Sequence, residues 1–232
     1  MNKPNHACHN CPDPKPNDWL VTDEAKHARE FDCRCSRKCL PNNPDFVQAS
    51  FMGDHPIVVR AARPDDAAGV ARVYIESWHD TYPSILPTQL LCAMTPRGQT
   101  ARWQAAIQAR GREQVLVVEK SGAGIIAMAS FGPSRDSDLG FDGEVYTLYV
   151  DPSYFGLGLG RALLRSSFSA LGARGYSSCV IWAHAKNPAR FFYEKMGGRL
   201  IAERTARMMG DAVPETAFGW RRLALVERSA AR

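Results

Sequence analysis

Glu144-Val-Tyr-Thr-Leu-Tyr-Val-Asp-Pro-Ser-Tyr-Phe-Gly-Leu-Gly-Leu-Gly-Arg-Ala-Leu-Leu164 decides how this 232-residue chain is read. An apolar and aromatic run up to Val150 has strand character, and Asp151-Pro152 stops it. Three glycines at alternate positions (Gly156, Gly158, Gly160) then open a helix predicted over 158–173, with Leu159, Ala162, Leu163 and Leu171 roughly on one face. Glycine takes φ > 0 and lets the backbone approach a ligand closely. N–H groups at a helix start point at an anion, helped by the helix dipole. Strand, glycine turn and helix together read as a pyrophosphate cradle. A turn used only for tight packing would leave the same letters. The Rossmann fingerprint is excluded, because Arg161 stands where its third glycine belongs and Ser178 where its acid belongs. No Gly-Lys-Ser/Thr follows, so it is not a P-loop either.

Working outward, strands are predicted at 57–60, 114–119, 125–131, 144–150, 179–183, 200–207 and 217–225. Ser121-Gly-Ala-Gly124 marks a hairpin. Pro64-Asp65-Asp66 starts a helix carrying Ala67, Val70, Ala71, Tyr74 and Trp78 at helical spacing. A Pro-broken segment (Tyr82-Pro83, Leu86-Pro87) precedes a helix over 95–110, and a last helix, 188–196, closes on Gly197-Gly198. This order gives an α/β (mixed α+β) fold, a mixed sheet with helices on its faces.

The strand "LYVDP", the loop "GLGLG", the helix "RALL" and the later "NPARFFYEKMGG" resemble, in order and spacing, the acetyl-CoA motifs of the GNAT (Gcn5-related N-acetyltransferase) superfamily. The resemblance covers about residues 57–226. It implies the GNAT fold, a mixed, mostly antiparallel sheet flanked by helices, and acetyl transfer from acetyl-CoA to a primary amine. It also implies the site. Leu148, Tyr149 and Val150 would lie beside the pantetheine arm. The stretch Gly156, Leu157, Gly158, Leu159, Gly160 and Arg161 would hold the pyrophosphate. Asn187 would hydrogen-bond the pantetheine near its thiol end, and Tyr193 would protonate the leaving thiolate. Arg165 and Arg190 lie near enough in sequence for the outer phosphates, though solvated helix charges read the same. Two positions depart from the pattern: Phe155 stands where Gln or Arg is usual, and Leu157 where a polar residue is common.

Acetyl transfer needs a base to free the amine and a donor for the developing oxyanion. Glu144, which begins the strand, is the expected base, and a strand-end solvating role is the alternative. His79 and Asp80 are next in line. Trp78, Tyr82 and Tyr146 are candidate walls of an acceptor pocket, with core packing the alternative for Trp78. From another class, a non-catalytic acyl-CoA sensor whose N-terminal extension recruits a partner also fits, and Phe155 favours it.

The net charge of +5 lies wholly in residues 51–232, since the first 50 residues hold seven basic and seven acidic side chains. A modest excess fits a polyanionic ligand or a plain soluble surface, and nothing points to nucleic acid. No apolar run approaches a membrane span and no signal-like segment starts the chain, so the cytoplasm is the expected compartment. Residues 1–56 are expected to form a cysteine-rich extension ahead of a 57–232 acetyltransferase domain. Five of the seven cysteines lie in the first 39 residues. Cys8-x2-Cys11 has good zinc geometry, and Cys33 and Cys35 are expected to complete a structural zinc site, with Cys39 a spectator. An iron–sulfur centre, a redox pair and exposed thiols remain alternatives. The expected partners are acetyl-CoA and an amine-bearing acceptor, and a homodimer is one admissible assembly.

Overall fold

The computed structural model describes residues 48–52, 55–83, 85–109, 113–208 and 211–223. The chain divides into residues 1–42 and 43–232, and every described residue belongs to the second unit. Cys8, Cys11, Cys33, Cys35 and Cys39 lie outside the described residues, and with them the expected zinc site. Among the described residues no group of His, Cys, Asp and Glu could hold a metal. No helix there is long and apolar enough to cross a membrane.

The strands are β1 (Gln48–Met52), β2 (His55–Ala61), β3 (Gln114–Lys120), β4 (Gly124–Pro133), β5 (Gly143–Val150), β6 (Cys179–His184), β7 (Arg199–Met208) and β8 (Asp211–Trp220). The helices are α1 (Ala67–Thr81), α2 (Thr88–Cys92), α3 (Pro96–Gln108), α4 (Leu159–Ala173) and α5 (Ala189–Lys195). The strands form one sheet in the order β1-β2-β3-β4-β5-β6-β8-β7. Every pairing is antiparallel except β5 with β6. This is the mixed, mostly antiparallel sheet expected of the GNAT fold.

Apolar periodicity places the helices. Val70, Val73, Tyr74 and Trp78 of α1 pack with Trp103 of α3 and with Val117 and Met128 of the sheet. Leu159 and Leu163 of α4 meet Ile57, Val59, Val118 and Ile126, and further along the helix Leu164, Phe168 and Leu171 join Phe131, Ile181 and Trp220. Each such side chain contributes about 1.5–3 kcal/mol when fully buried.

Three elements differ from the expectation. The sheet begins earlier, with β1 paired to β2. The Pro-broken segment contains the short helix α2. The last strand spans Asp211–Trp220: it begins earlier than periodicity suggests, because Pro214 interrupts the apolar pattern, and it ends at Trp220, short of the expected 225. Pro214 is tolerated just past the end of β6, whose last partner is Glu215.

Two local devices shape β5. Its register with β4 slips once: Phe131 faces Val145 and Ser130 faces Thr147. Tyr146 is therefore the extra residue of a β-bulge, which bends the strand and re-aims its side chain. At the same place the parallel pairing to β6 ends, covering only Gly143–Val145 with Cys179–Ile181. Just before it, Asp142 ties the two strand starts together. Its carboxylate accepts from the N–H and Oγ of Ser177 (2.8 and 3.0 Å), from the Ser178 N–H (2.9 Å) and from the Ser178 Oγ. Partial burial pushes its pKa up, but the hydrogen bonds from Ser177 and Ser178 outweigh this and hold it down at about 2.

Asp142→Asn is expected to cost about 1 kcal/mol at pH 7, less than the roughly 1.5–3 kcal/mol of a buried charged hydrogen bond because the site is exposed. The depressed pKa means this stabilisation is present above the unfolded carboxylate pKa of about 3.9. It is lost as pH falls toward about 2. Unfolding midpoints of the two proteins should therefore differ by a constant amount above about pH 5 and converge below pH 4. A gap that stays open at pH 2 would show that Asp142 is not the clamp.

Candidate active site

Beyond Val145, β5 stays with β4 while β6 stays with β8, so the sheet opens between β5 and β6. The Asp151 N–H donates to Ile126 O of β4 (2.9 Å). Neighbouring residues of a strand alternate their hydrogen-bonding edges, so Leu148 and Val150 turn their backbone groups to the open side. Ser77 of α1 donates to the Val150 carbonyl there (3.1 Å).

A cleft of about 430 Å³ occupies the opening and reaches the glycine turn. Asp151 starts that turn, accepting from the Ser153 N–H (3.0 Å) and pairing with Arg72 (2.9 Å). Gly156 and Gly158 have φ of 80° and 76°, which any residue with a Cβ adopts only under strain, and the neighbouring space is open at both. Gly158 is the N-cap of α4, whose first N–H groups have no intrahelical partner. Gly158, Leu159, Gly160 and Arg161 line the cleft. The cradle is thus a left-handed turn feeding a helix start.

A second cleft of about 500 Å³ adjoins the first. Tyr82, Tyr146, Thr147, Tyr149, Trp182 and Ala183 line both, so the clefts meet where β5 and β6 part. The second contains Arg102, Glu113, Arg135, His184 and Glu215. His184 accepts the Lys186 N–H at Nδ1 (3.0 Å). Burial, aided by the charge of Lys186, pushes its pKa down, so the ring is neutral with its proton on Nε2.

The residues from 73 to 198 match the family model of the acetyltransferase (GNAT) family. An uncharacterized N-acetyltransferase of Bacillus subtilis, YuaI, is 30% identical over 71% of this chain and 92% of its own. The chain belongs to the GNAT family. Among solved structures, a GCN5-related N-acetyltransferase from Rhodopseudomonas palustris aligns with a TM-score of 0.55 at 22% identity, over 70% of this chain and 94% of that one. The acetyltransferase yncA of Salmonella typhimurium, solved with acetyl-CoA, aligns with a TM-score of 0.54 at 23% identity, over 71% and 93%. These two share the fold. By family, the protein is an acyltransferase.

Within this GNAT domain the expected site residues separate into groups. Leu148, Tyr149, Val150, Gly156, Gly158, Leu159, Gly160, Arg161, Asn187 and Tyr193 all line the first cleft. Asn187 caps α5 through Ala189 N (2.8 Å) and donates from Nδ2 to the Tyr82 hydroxyl (2.8 Å), leaving one Nδ2 hydrogen. Tyr193 is 4% exposed, and burial drives its pKa well up, so its hydroxyl stays protonated. Tyr149 accepts from Trp78 Nε1 (2.9 Å). Trp78 is a core residue that also borders the second cleft. Leu157 points to solvent and does not line the cleft, whereas the exposed Phe155 does. Arg165 and Arg190 line neither cleft, and Arg190 lies over the Phe191 ring.

Glu144 is placed differently from the expectation of a base. It is 1% exposed and lines neither cleft. Its Oε1 accepts from Arg135 Nη2 (2.5 Å) and Nε (3.0 Å), and its Oε2 from the Arg135 N–H (2.8 Å). His79 and Asp80 are exposed and line neither cleft. Glu113, which the sequence reading passed over, does face the second cleft and makes no hydrogen bond or ion pair among the described residues. No motif marks it; only the fold brings it there.

Removing Arg135 leaves a buried carboxylate uncompensated. Arg135→Ala should cost about 3 kcal/mol, the low end for a broken buried pair, because Arg135 itself is 60% exposed. The double variant Arg135→Ala/Glu144→Gln should recover much of that in urea unfolding. Equal stability of Arg135→Ala and the parent would sink this account of the pair.

Proposed function

We propose that this GNAT protein transfers an acetyl group from acetyl-CoA to a primary amine held in the second cleft. One observation carries this: a single opening between β5 and β6 leads on one side to the glycine cradle and on the other to a charged, aromatic cleft. The first N–H groups of α4 would hold the pyrophosphate, with Arg161 beside them. The backbone of Leu148 and Val150 would pair with the pantetheine amides, and Asn187 would offer its remaining Nδ2 hydrogen. The bound thioester supplies the acetyl group.

The chain's residues then have distinct tasks. Backbone N–H on the open edge of β5 would polarise the carbonyl oxygen, an interaction strengthened by the apolar surroundings. Tyr193, kept protonated by burial, donates its proton to the departing sulfur, and the proton that the new amide nitrogen sheds restores it. Glu113 takes the proton of the ammonium, directly or through water. This replaces Glu144, whose carboxylate is committed to Arg135.

Acetyl-CoA should raise the melting temperature, because it binds the folded state. Gly158→Val should abolish that shift, since a β-branched residue resists φ of 76°. Steady-state thiol release with an amine panel separates this function from sensing. A protein that shows the thermal shift yet releases no thiol with any amine is a sensor, and the proposal fails.

Tyr193→Phe should lower kcat by about 10²-fold with little change in acetyl-CoA affinity, since the proton matters only as thiolate develops. Glu113→Gln should lower activity by a similar ~10² at neutral pH and least at high pH, where the amine is already free. An unchanged pH–rate profile in Glu113→Gln would place the base elsewhere.

A further inference from the structure

The second cleft is built for more than a bare amine. Arg135 is held on two sides. Glu144 accepts from its Nε and Nη2, and the Tyr146 ring lies 4.3 Å from its Cζ. Tyr146 is itself fixed, donating to the Pro133 carbonyl (2.6 Å). Of the five guanidinium N–H groups, both on Nη1 and one on Nη2 find no acceptor. The side chain is largely exposed and borders the cleft. A donor fork is thus preorganised toward open space.

The surrounding charges set its complement. Arg102 is a second guanidinium on the cleft, lying over Trp103 and Tyr74 with no carboxylate partner among the described residues. Glu215 is taken by Arg204 (2.8 Å), which leaves Glu113 as the unpaired carboxylate. Its charge acts on both Arg135 and Tyr146, so a cation site lies beside the anion site in the second cleft, next to Tyr146, which borders both clefts. Tyr74, Trp78 and Tyr149 supply an aromatic wall.

We propose that the acceptor is a small amine that also carries a carboxylate, an amino-acid-like zwitterion, with its carboxylate on Arg135, its ammonium on Glu113 and its side chain against the aromatic wall. This rests on the acetyltransferase function proposed above. Arginine's planar fork matches a carboxylate bidentately. A simple alkylamine could meet Glu113 but would leave Arg135 and Arg102 without an anion, and a polyamine would bring its further cations against them. The cleft volume of about 500 Å³ lies in the range of small-molecule sites.

The test compares matched pairs: phenylalanine with 2-phenylethylamine, tryptophan with tryptamine, leucine with isoamylamine. Two readouts are taken, kcat/KM for thiol release from acetyl-CoA and equilibrium binding of each acceptor to the protein saturated with CoA. The carboxylate member should be preferred by about tenfold or more. Arg135→Gln/Glu144→Gln, which removes the fork without stranding a buried charge, should erase the preference. Arg102→Gln should reduce it. If the double variant does not fold, Arg135→Lys, which keeps a cation for Glu144 but not the fork, decides in the same way. If no acceptor releases thiol, the acetyltransferase function fails and binding alone judges the acceptor class. Equal binding of both members, binding of neither, or a preference that survives loss of the fork overturns the proposal.

Discussion

The site depends on one short contact: β5 and β6 pair in parallel over only three residues each. A longer ladder would close the sheet and leave no edge for a ligand. A missing ladder would let the two halves of the sheet drift apart. Asp142 secures the near end with hydrogen bonds to Ser177 and Ser178. The bulge at Tyr146 turns β5 away at the far end. Clamp and bulge together set where the opening starts.

Polar groups that would otherwise be buried without partners are used to build the walls. Val150 has lost its strand neighbour on the open side, and Ser77 takes its carbonyl. Asn187 both caps α5 and holds Tyr82. Glu144 is buried at the base of the opening, and Arg135 satisfies both its oxygens. Because a buried carboxylate is costly unless paired, Glu144 fixes Arg135 more firmly than an exposed acid would. The same pairing removes it from proton transfer.

Sequence and structure agree where chemistry is local. Asp151-Pro152 can only end a strand, and Gly156 and Gly158 sit where φ is positive. The helix faces followed from spacing, because burial repeats with the helical period. What could not be read are features set by one-residue shifts or long-range pairing. The bulge at Tyr146 leaves no compositional trace. Glu144 looks like a free acid until the turn after β4 folds Arg135 onto it. Glu113 and Arg102 lack any motif, and reach the cleft only through the packing of α1, α3 and β3. Pro214 concealed the first half of β8, since its tolerance depends on where β6 stops.

In the proposed function, the open edge of β5 receives the coenzyme as a further strand would. Site-resolved amide hydrogen exchange, with and without saturating CoA, tests it most directly. Exchange at Leu148 and Val150, whose N–H groups face the opening, should slow on binding, while Tyr149, whose N–H faces β4, should be unchanged. CoA binding that leaves Leu148 and Val150 exchanging at their free rates would contradict the account.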